Sequence, residues 1–379
     1  MSRIVFVAGN ARSLIANRGD LIVALRQLEH EVIALVPAYD ALPELSDLGI
    51  PYELVRLNRS SLDPLRDMRS LHELKCAIRR LVPDIVFSYT IKPVIYGTLA
   101  ARWAGISRVT SMITGLGYLF SGESARQRAA RLIAQRLYAF ALPMNDAVFF
   151  QNPDDLETFR NSGLLRADQH VVLVNGSGIN LDRFAPIALP NGPPRFLLIA
   201  RLLQDKGITE FVEAASILKH EHPEAEFEVL GPHDPNLPHA LSLEQVEQWR
   251  ASGIVTFRPA VKDVRPYLAA CSVYVLPSYR EGTPRTVLEA MATGRAIITS
   301  DAPGCRETVV PGVNGFLVPP RDSAALAEAM RRFVLDPELA ISMGRESRRI
   351  SETKYDVELV NKVMIRHLLG TEGTCEAAL

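Results

Sequence analysis

An α/β chain of two Rossmann-like halves is what the 379-residue sequence predicts, on three observations. Short β-branched apolar runs alternate with helical patterns along most of its length, the alternation breaks at the Pro-rich segment 186–195 (PIALPNGPPR), and after that break the rhythm restarts. Buried strands alternating with helices indicate parallel sheets covered on both faces. The expected domains are therefore 1–185, a linker at 186–195, and 196–355, followed by a last segment at 356–379. Two such halves on an extended linker are expected to place a ligand cleft between them.

Taken in order, the apolar runs of the first half lie at 4–8, 31–36, 52–57, 84–88, 108–113, 147–151 and 171–174, with helical periodicity at 18–28, 67–81 and 123–142. The start, MSRIVFVAGNARS, has the outline of a short signal peptide. Its apolar run is only residues 4–8 and leads into a polar turn, which is the pattern of a first buried strand. In the second half the runs are 196–200, 226–230, 255–258, 273–276, 296–300 and 315–318, with helices expected at 207–221, 243–252, 285–293 and from Ser323 onward. No stretch reaches the roughly eighteen apolar residues of a membrane span; 137–150 comes nearest and is interrupted by Pro143, Asn145 and Asp146.

The composition, 47% hydrophobic and 22% charged, excludes disordered, collagenous and low-complexity classes. With 42 Lys and Arg against 43 Asp and Glu, bulk nucleic-acid binding is not expected. The balance is nevertheless uneven: residues 1–190 hold 21 basic and 18 acidic side chains. Cys76, Cys271, Cys305 and Cys375 show no C-x-x-C spacing and read as reduced thiols of a cytosolic protein. A basic stretch at 124–145 carries Arg126, Arg128, Arg131 and Arg136 with no acid. Helical spacing puts Ile133, Leu137 and Phe140 on one face and Arg128, Arg131 and Arg136 broadly opposite. That basic face is either an ordinary solvated surface or a dock for anionic lipid.

The densest chemistry lies in 277–292, PSYREGTPRTVLEAMA. A strand ends, Glu281-Gly282-Thr283 turns, and Pro284 is placed to begin a helix at its first position. A helix N-terminus reached through a glycine turn presents backbone donors from Gly282, Thr283 and Arg285, a seat for a diphosphate. Glu281 before the helix and Glu289 inside it can serve a sugar hydroxyl and a ribose diol. The second constellation is ARLLQDKG, in which Arg201 and Lys206 sit five residues apart on a strand-to-helix loop and can converge on one diphosphate. Such cations neutralise charge developing on a departing nucleoside diphosphate. Asp-x-Asp is absent, so no metal is expected on the diphosphate. His220-Glu221-His222 reads as a surface pair at a helix end.

These residues resemble the family-4 retaining glycosyltransferases of the GT-B fold. The resemblance spans nearly the whole chain and is carried by Arg201 and Lys206, the E-x7-E segment Glu281–Glu289, Pro303-Gly304-Cys305-Arg306-Glu307 and Asn314-Gly315-Phe316-Leu317-Val318. Thr114-Gly115-Leu116-Gly117, Gln151-Asn152-Pro153-Asp154-Asp155, Gly176-Ser177-Gly178-Ile179 and Tyr279-Arg280-Glu281-Gly282 are similar to the branch that extends polyprenyl-diphosphate-linked sugars.

The resemblance implies two Rossmann-like domains whose parallel sheets face each other across a cleft, with the 356–379 helix packing back on the first domain. It implies that Arg201 and Lys206 hold the donor diphosphate, that Glu289 holds the ribose, and that uracil lies near Arg258 and Val261. Glu281, with Gly282, Thr283 and Pro284, then contacts the transferred sugar and its phosphate, and Gly9 helps to seat the diphosphate. The implied reaction moves a sugar, an N-acetylhexosamine by expectation, from UDP to a polyprenyl-diphosphate-linked saccharide with retention. No cofactor is expected, since the UDP-sugar is a substrate. Two departures stand out: the first loop, Gly9-Asn10-Ala11-Arg12, has one glycine where many relatives have a pair, and no histidine occupies Thr114–Gly117. Lys92, Thr114, Gly115 and Tyr118 are the candidate acceptor contacts; Lys92 either pairs with an acceptor phosphate or is a solvated loop lysine. The expected location is the cytoplasm, peripheral on the inner face of the plasma membrane.

Other readings are a non-catalytic UDP-sugar-binding regulator and a GT-B UDP-sugar 2-epimerase, the latter short of protonating groups beside the sugar. A dinucleotide dehydrogenase is disfavoured because AGNARSLIANRG lacks G-x-G-x-x-G.

Overall fold

The computed structural model describes residues 1–37, 43–57, 63–116, 125–235, 237 and 239–371. Tyr118 and Cys375 lie outside these residues, and nothing is described of the Arg126 side chain. The chain divides into two units, Met1–Gly178 with Val357–Leu379, and Ile179–Asp356.

In the first unit the described strands are β1 (Arg3–Ala8), β2 (Glu31–Pro37), β3 (Tyr52–Val55), β4 (Ile85–Tyr89), β5 (Arg108–Ile113), β6 (Ala147–Phe150) and β7 (Val171–Leu173). They form one sheet in the order β3-β2-β1-β4-β5-β6-β7, and every neighbouring pair is parallel. The order reverses between β1 and β4, where Phe6 is in register with Phe87. Alternation along β1 feeds two cores: Val5 and Val7 pack on one face of the sheet, and Ile4, Phe6 and Ala8 on the other. The second of these faces is covered by the Ala11–Gln27 helix and by the Val357–Leu369 helix, which contributes Val360, Met364 and Leu368. The Ala11–Gln27 helix starts well before the apolar periodicity predicts. Its start is set by Asn10, whose side chain accepts from the Ser13 N–H at 2.9 Å.

The second unit holds β8 (Arg195–Ile199), β9 (Glu226–Leu230), β10 (Thr256–Arg258), β11 (Val273–Leu276), β12 (Ala296–Ser300) and β13 (Gly315–Val318). Their order is β10-β9-β8-β11-β12-β13, again parallel throughout, with the reversal between β8 and β11. Helices at Ile208–Glu221, Leu243–Ser252, Arg285–Ala292 and Ser323–Leu335 connect the strands, as the periodicity predicts. Shorter helices at Pro43–Asp47, Thr98–Trp103, Pro153–Asn161 and Arg265–Ala270 carry too few turns to give a periodic signal.

The passage from the first unit to the second falls between Gly178 and Ile179, earlier than the Pro-rich segment suggests. Prolines do keep 185–190 free of regular structure. That segment nevertheless belongs to the second unit because the buried Arg295 holds it, donating to the carbonyls of Ile187 (2.7 Å) and Ala188 (3.4 Å) as well as Leu268 (2.7 Å).

Correction also comes at the Ala125–Ala141 helix. Its buried side chains are Ala130, Ala134, Tyr138 and Ala141, whereas Ile133 and Phe140 are 52% and 55% exposed. Small residues let the helix approach the Pro93–Gly97 turn closely, so the larger apolar side chains are left outward. Leu132, Ile133 and Phe140 therefore share the exposed side with Arg128 and Arg136 rather than opposing them. No described helix is long and apolar enough to cross a membrane.

Candidate active site

In an open parallel sheet, ligands bind beyond the carboxyl ends of the strands where the strand order reverses. In the second unit that place lies between β8 and β11, and the two loops leaving these strands carry the densest motifs of the sequence. After β8 the chain runs through the exposed Arg201 into a short turn at Gln204–Lys206 and then, through Gly207, into the Ile208–Glu221 helix. Gly207 has φ of 69°, and a Cβ there would collide with the Pro277 carbonyl. Only glycine lets the two loops come this close.

Across this approach the Lys206 ammonium meets the Glu281 carboxylate, Nζ to Oε1, at 2.5 Å. The Ser278 hydroxyl donates to the same oxygen at 2.8 Å. Lys206 and Glu281 are 14% and 16% exposed, so the pair is largely desolvated. Burial works against the Lys206 charge, but the Glu281 and Asp205 carboxylates outweigh it, and its pKa lies above the ordinary lysine value despite the nearby Arg201. Arg201 has no ion-pair partner among the described residues.

The loop bearing Glu281 is tied at its far end too. The Glu281 N–H donates to the Pro303 carbonyl at 2.9 Å, and a Cβ on Gly304 (φ of 79°) would run into the Glu281 carbonyl. The Pro-Gly-Cys-Arg-Glu turn thus acts as a backstop for Glu281. Cys305 in that turn is fully buried, and burial pushes its thiol well above the usual range, so it packs rather than reacts.

Pro284 occupies the N-cap of the Arg285–Ala292 helix rather than its first position, because its ψ of 109° is extended. Gly282 and Thr283 precede it as expected. Glu289, 8% exposed, accepts from Arg285 Nε at 3.0 Å across one turn. Burial raises the Glu289 pKa, and Arg285, then Arg183, oppose the rise. Tyr274 on β11 is buried, and its hydroxyl donates to the Ile199 carbonyl at 3.2 Å. Its pKa is driven up by burial first, and among its further causes both the Glu289 and the Glu281 carboxylates push it the same way.

The structure therefore brings together Arg201, Lys206, Glu281 and the turn Gly282-Thr283-Pro284, with Glu289 on the adjoining helix. Arg258 lies at the carboxyl end of β10, where Glu228 holds its guanidinium at 2.6 Å; Val261 packs partly buried on the core. Sequence reading missed Ser278, Asp205 and the side chain of Arg285, of which it named only the backbone N–H. Ser278 stands three residues before the E-x7-E segment and Arg285 inside it, but only the folded loop reveals that they hold its carboxylates.

The remaining predicted residues belong to the first unit. Gly9, buried at the carboxyl end of β1, faces Thr90, whose Oγ1 would be 3.0 Å from an added Cβ. Thr114 and Gly115 follow β5, half-buried, with φ of 100° at Gly115. Lys92 is not a solvated loop lysine. It is 13% exposed, and its Nζ lies 2.6 Å from Asp67, which also accepts from the Tyr96 hydroxyl at 2.8 Å. Tyr118 lies outside the described residues.

Comparison with known proteins accords with this geometry. A model described as "Glycosyl transferases group 1" matches residues 193–336, and a "Glycosyl transferase 4-like domain" model matches 17–176. A Campylobacter jejuni protein named N,N'-diacetylbacillosaminyl-diphospho-undecaprenol alpha-1,3-N-acetylgalactosaminyltransferase is 30% identical over 371 residues, covering 94% of this chain and 96% of its own. The chain is a family-4 glycosyltransferase. An Escherichia coli relative of the glycosyltransferase, named UDP-Gal:alpha-D-GlcNAc-diphosphoundecaprenol alpha-1,3-galactosyltransferase, is 27% identical over 79% of each chain. Among solved structures, sucrose-phosphate synthase from Thermosynechococcus elongatus superposes with a TM-score of 0.82 at 21% identity, covering 98% of this chain and all of its own. Anabaena HepE in complex with UDP and glucose gives 0.78 at 19% identity, covering 97% and 100%. The glycosyltransferase thus has the GT-B fold, its two parallel sheets being those described above.

Proposed function

We propose that this glycosyltransferase moves an N-acetylhexosamine from a UDP-sugar to a polyprenyl-diphosphate-linked saccharide, with retention and without a metal, in cell-surface polysaccharide or glycan assembly. The observation that carries the reading is the buried Lys206–Glu281 pair at the strand-order reversal, beside Arg201 and the Gly282-Thr283 turn. In the free enzyme each charge satisfies the other. When donor enters, Lys206 and Arg201 turn to the diphosphate and Glu281 to the sugar. Glu289 takes the ribose diol and the Arg258–Val261 stretch the uracil. The acceptor hydroxyl bonds to the anomeric carbon on the face from which UDP departs, while the bond to the β-phosphate oxygen breaks. That oxygen takes the hydroxyl proton. Lys206 and Arg201 stabilise the charge growing on UDP, a role of the kind worth about 10²–10³ in rate. Glu281 stabilises positive charge on the sugar ring and forms no bond to it. No step calls for a cofactor.

The acceptor class is supported by the names of the Campylobacter jejuni and Escherichia coli relatives, the N-acetylhexosamine by the first name and the UDP-sugar donor by the second. Peripheral binding to an anionic membrane is supported by the Ala125–Ala141 helix, which presents arginines and apolar side chains on one exposed side. The acceptor contacts on this reading are Lys92, Thr114, Gly115 and Tyr118, with Lys92 leaving Asp67 for an acceptor phosphate.

The test is a panel of UDP-sugars against short polyprenyl-diphosphate-linked saccharides, with product mass and anomeric configuration read by mass spectrometry and NMR. One added N-acetylhexosamine in α linkage from an α-linked donor is the expected product. An inverted product overturns retention. Binding of UDP-sugar with no UDP release under any acceptor overturns the enzyme reading in favour of a regulator, and a changed free UDP-sugar favours the epimerase.

A further inference from the structure

Beside the Lys206–Glu281 pair a second strut joins the same two segments. Tyr279 stands two residues before Glu281, and its main-chain N–H donates to the Asp205 carbonyl at 2.9 Å. Its phenol donates to Glu210 Oε1 at 2.5 Å. The guanidinium of Arg321, from the loop after β13, covers the ring with its carbon 4.7 Å from the centroid. Glu210 lies in the first turn of the Ile208–Glu221 helix, four residues after Lys206, and is 8% exposed. Its other oxygen, Oε2, is buried with no hydrogen-bond partner among the described residues. A carboxylate buried with one oxygen unsatisfied costs stability, so packing alone does not account for it. Burial first, and then the bond to Glu210, push the Tyr279 hydroxyl above its ordinary value.

The two struts differ in what substrate does to them. Donor binding, as described under the proposed function, must separate Lys206 from Glu281, since each takes a part of the donor. The Tyr279–Glu210 bond contains no group assigned to substrate and persists through the exchange. We propose that Tyr279 and Glu210 are positioning residues, whose hydrogen bond holds the Glu281 loop fixed while Lys206 leaves it for the diphosphate. The proposal rests on that reading of the site. A misplacement of about 1 Å at a reacting centre costs on the order of a hundredfold in rate.

Tyr279→Phe and Glu210→Ala remove the bond, whereas Glu210→Gln keeps an oxygen that accepts it. The full-length enzyme is compared in each form by steady-state kinetics, UDP calorimetry and amide hydrogen exchange over 277–284. Expected for Tyr279→Phe and Glu210→Ala is a loss of about tenfold to a hundredfold in kcat. UDP affinity and donor KM should stay near those of the parent enzyme, and exchange over 277–284 should quicken when UDP is saturating. Glu210→Gln should restore both readouts. Parent-like kcat and exchange in Tyr279→Phe would overturn the proposal. So would a parallel loss of kcat, UDP affinity and thermal stability that Glu210→Gln does not rescue, because that marks a merely structural bond. If the parent enzyme binds UDP but transfers no sugar, the functional reading fails, while the exchange measurement still judges the strut.

Discussion

Lys206 Nζ and Glu281 Oε1 stand 2.5 Å apart, and the Ser278 hydroxyl donates to that same oxygen. Two donors therefore neutralise and orient Glu281 before any substrate arrives. The pair holds both charged groups at the site until donor exchanges Lys206 onto the diphosphate and Glu281 onto the sugar.

The first prediction separates the two partners of this pair. Lys206→Ala and Glu281→Ala should each lower kcat by about a hundredfold or more, the scale of losing one preorganised electrostatic contact. They should differ in binding UDP alone, which carries the diphosphate but no sugar. Lys206→Ala should weaken UDP and Glu281→Ala should leave it almost unchanged, as measured by calorimetry. Equal weakening by both would refute the division of labour.

Glu289 supplies the second, a pH dependence. Burial raises its pKa, so on acidification it takes up a proton sooner than an ordinary glutamate. The protonated form is a poorer acceptor for the ribose diol. UDP affinity should therefore fall as pH drops from neutral, beginning above the usual carboxylate range. Glu289→Gln should bind UDP more weakly at neutral pH and lose most of that slope. A slope unchanged in Glu289→Gln would place the titrating group elsewhere.

Much of the fold is legible in the sequence because buried parallel strands write themselves as short continuous apolar runs. Each described strand of both sheets coincides with such a run to within about two residues at its ends, the usual uncertainty of element boundaries. The Ala125–Ala141 helix was misread for a physical reason. Its buried stripe is alanine and tyrosine, so a search for large apolar residues picks out the exposed face instead. In the site, Lys206 and Glu281 were legible as separate motifs from their loops. Their contact was not, since 75 residues separate them and only the strand order puts β8 beside β11. Lys92 shows the converse: a lysine at a strand end looks available until Asp67, 25 residues earlier, is seen to hold it.

A third prediction concerns stability. Arg295 is completely buried and donates to carbonyls of the Arg265–Ala270 helix and of the 186–195 segment. Arg295→Met keeps the bulk and strands those acceptors, which should cost about 2–4 kcal/mol. Denaturant melts should show the loss. Limited proteolysis should show the 186–195 segment cut first, since its prolines provide no regular structure to hold it otherwise. A loss under about 0.5 kcal/mol, the range of an unremarkable surface change, would refute this account of Arg295.

The last prediction tests the membrane face of the Ala125–Ala141 helix. Arg128 and Arg136 lie on its exposed side with Leu132, Ile133 and Phe140, and the half-buried Arg131 is on the same helix, so one surface offers both charge and apolar area. Each arginine near an anionic surface contributes about 1 kcal/mol, screened by salt within a Debye length. Apolar side chains add a part that salt does not screen. Arg128→Glu, Arg131→Glu and Arg136→Glu together should weaken sedimentation with phosphatidylglycerol-containing vesicles by on the order of a hundredfold at low salt. Leu132→Ser, Ile133→Ser and Phe140→Ser together should remove the binding that survives high salt. Both sets lie in the first unit and the nucleotide residues in the second, so UDP affinity in detergent-free buffer should match the parent enzyme in both. Vesicle binding that withstands both sets would show that the enzyme meets the membrane by another surface.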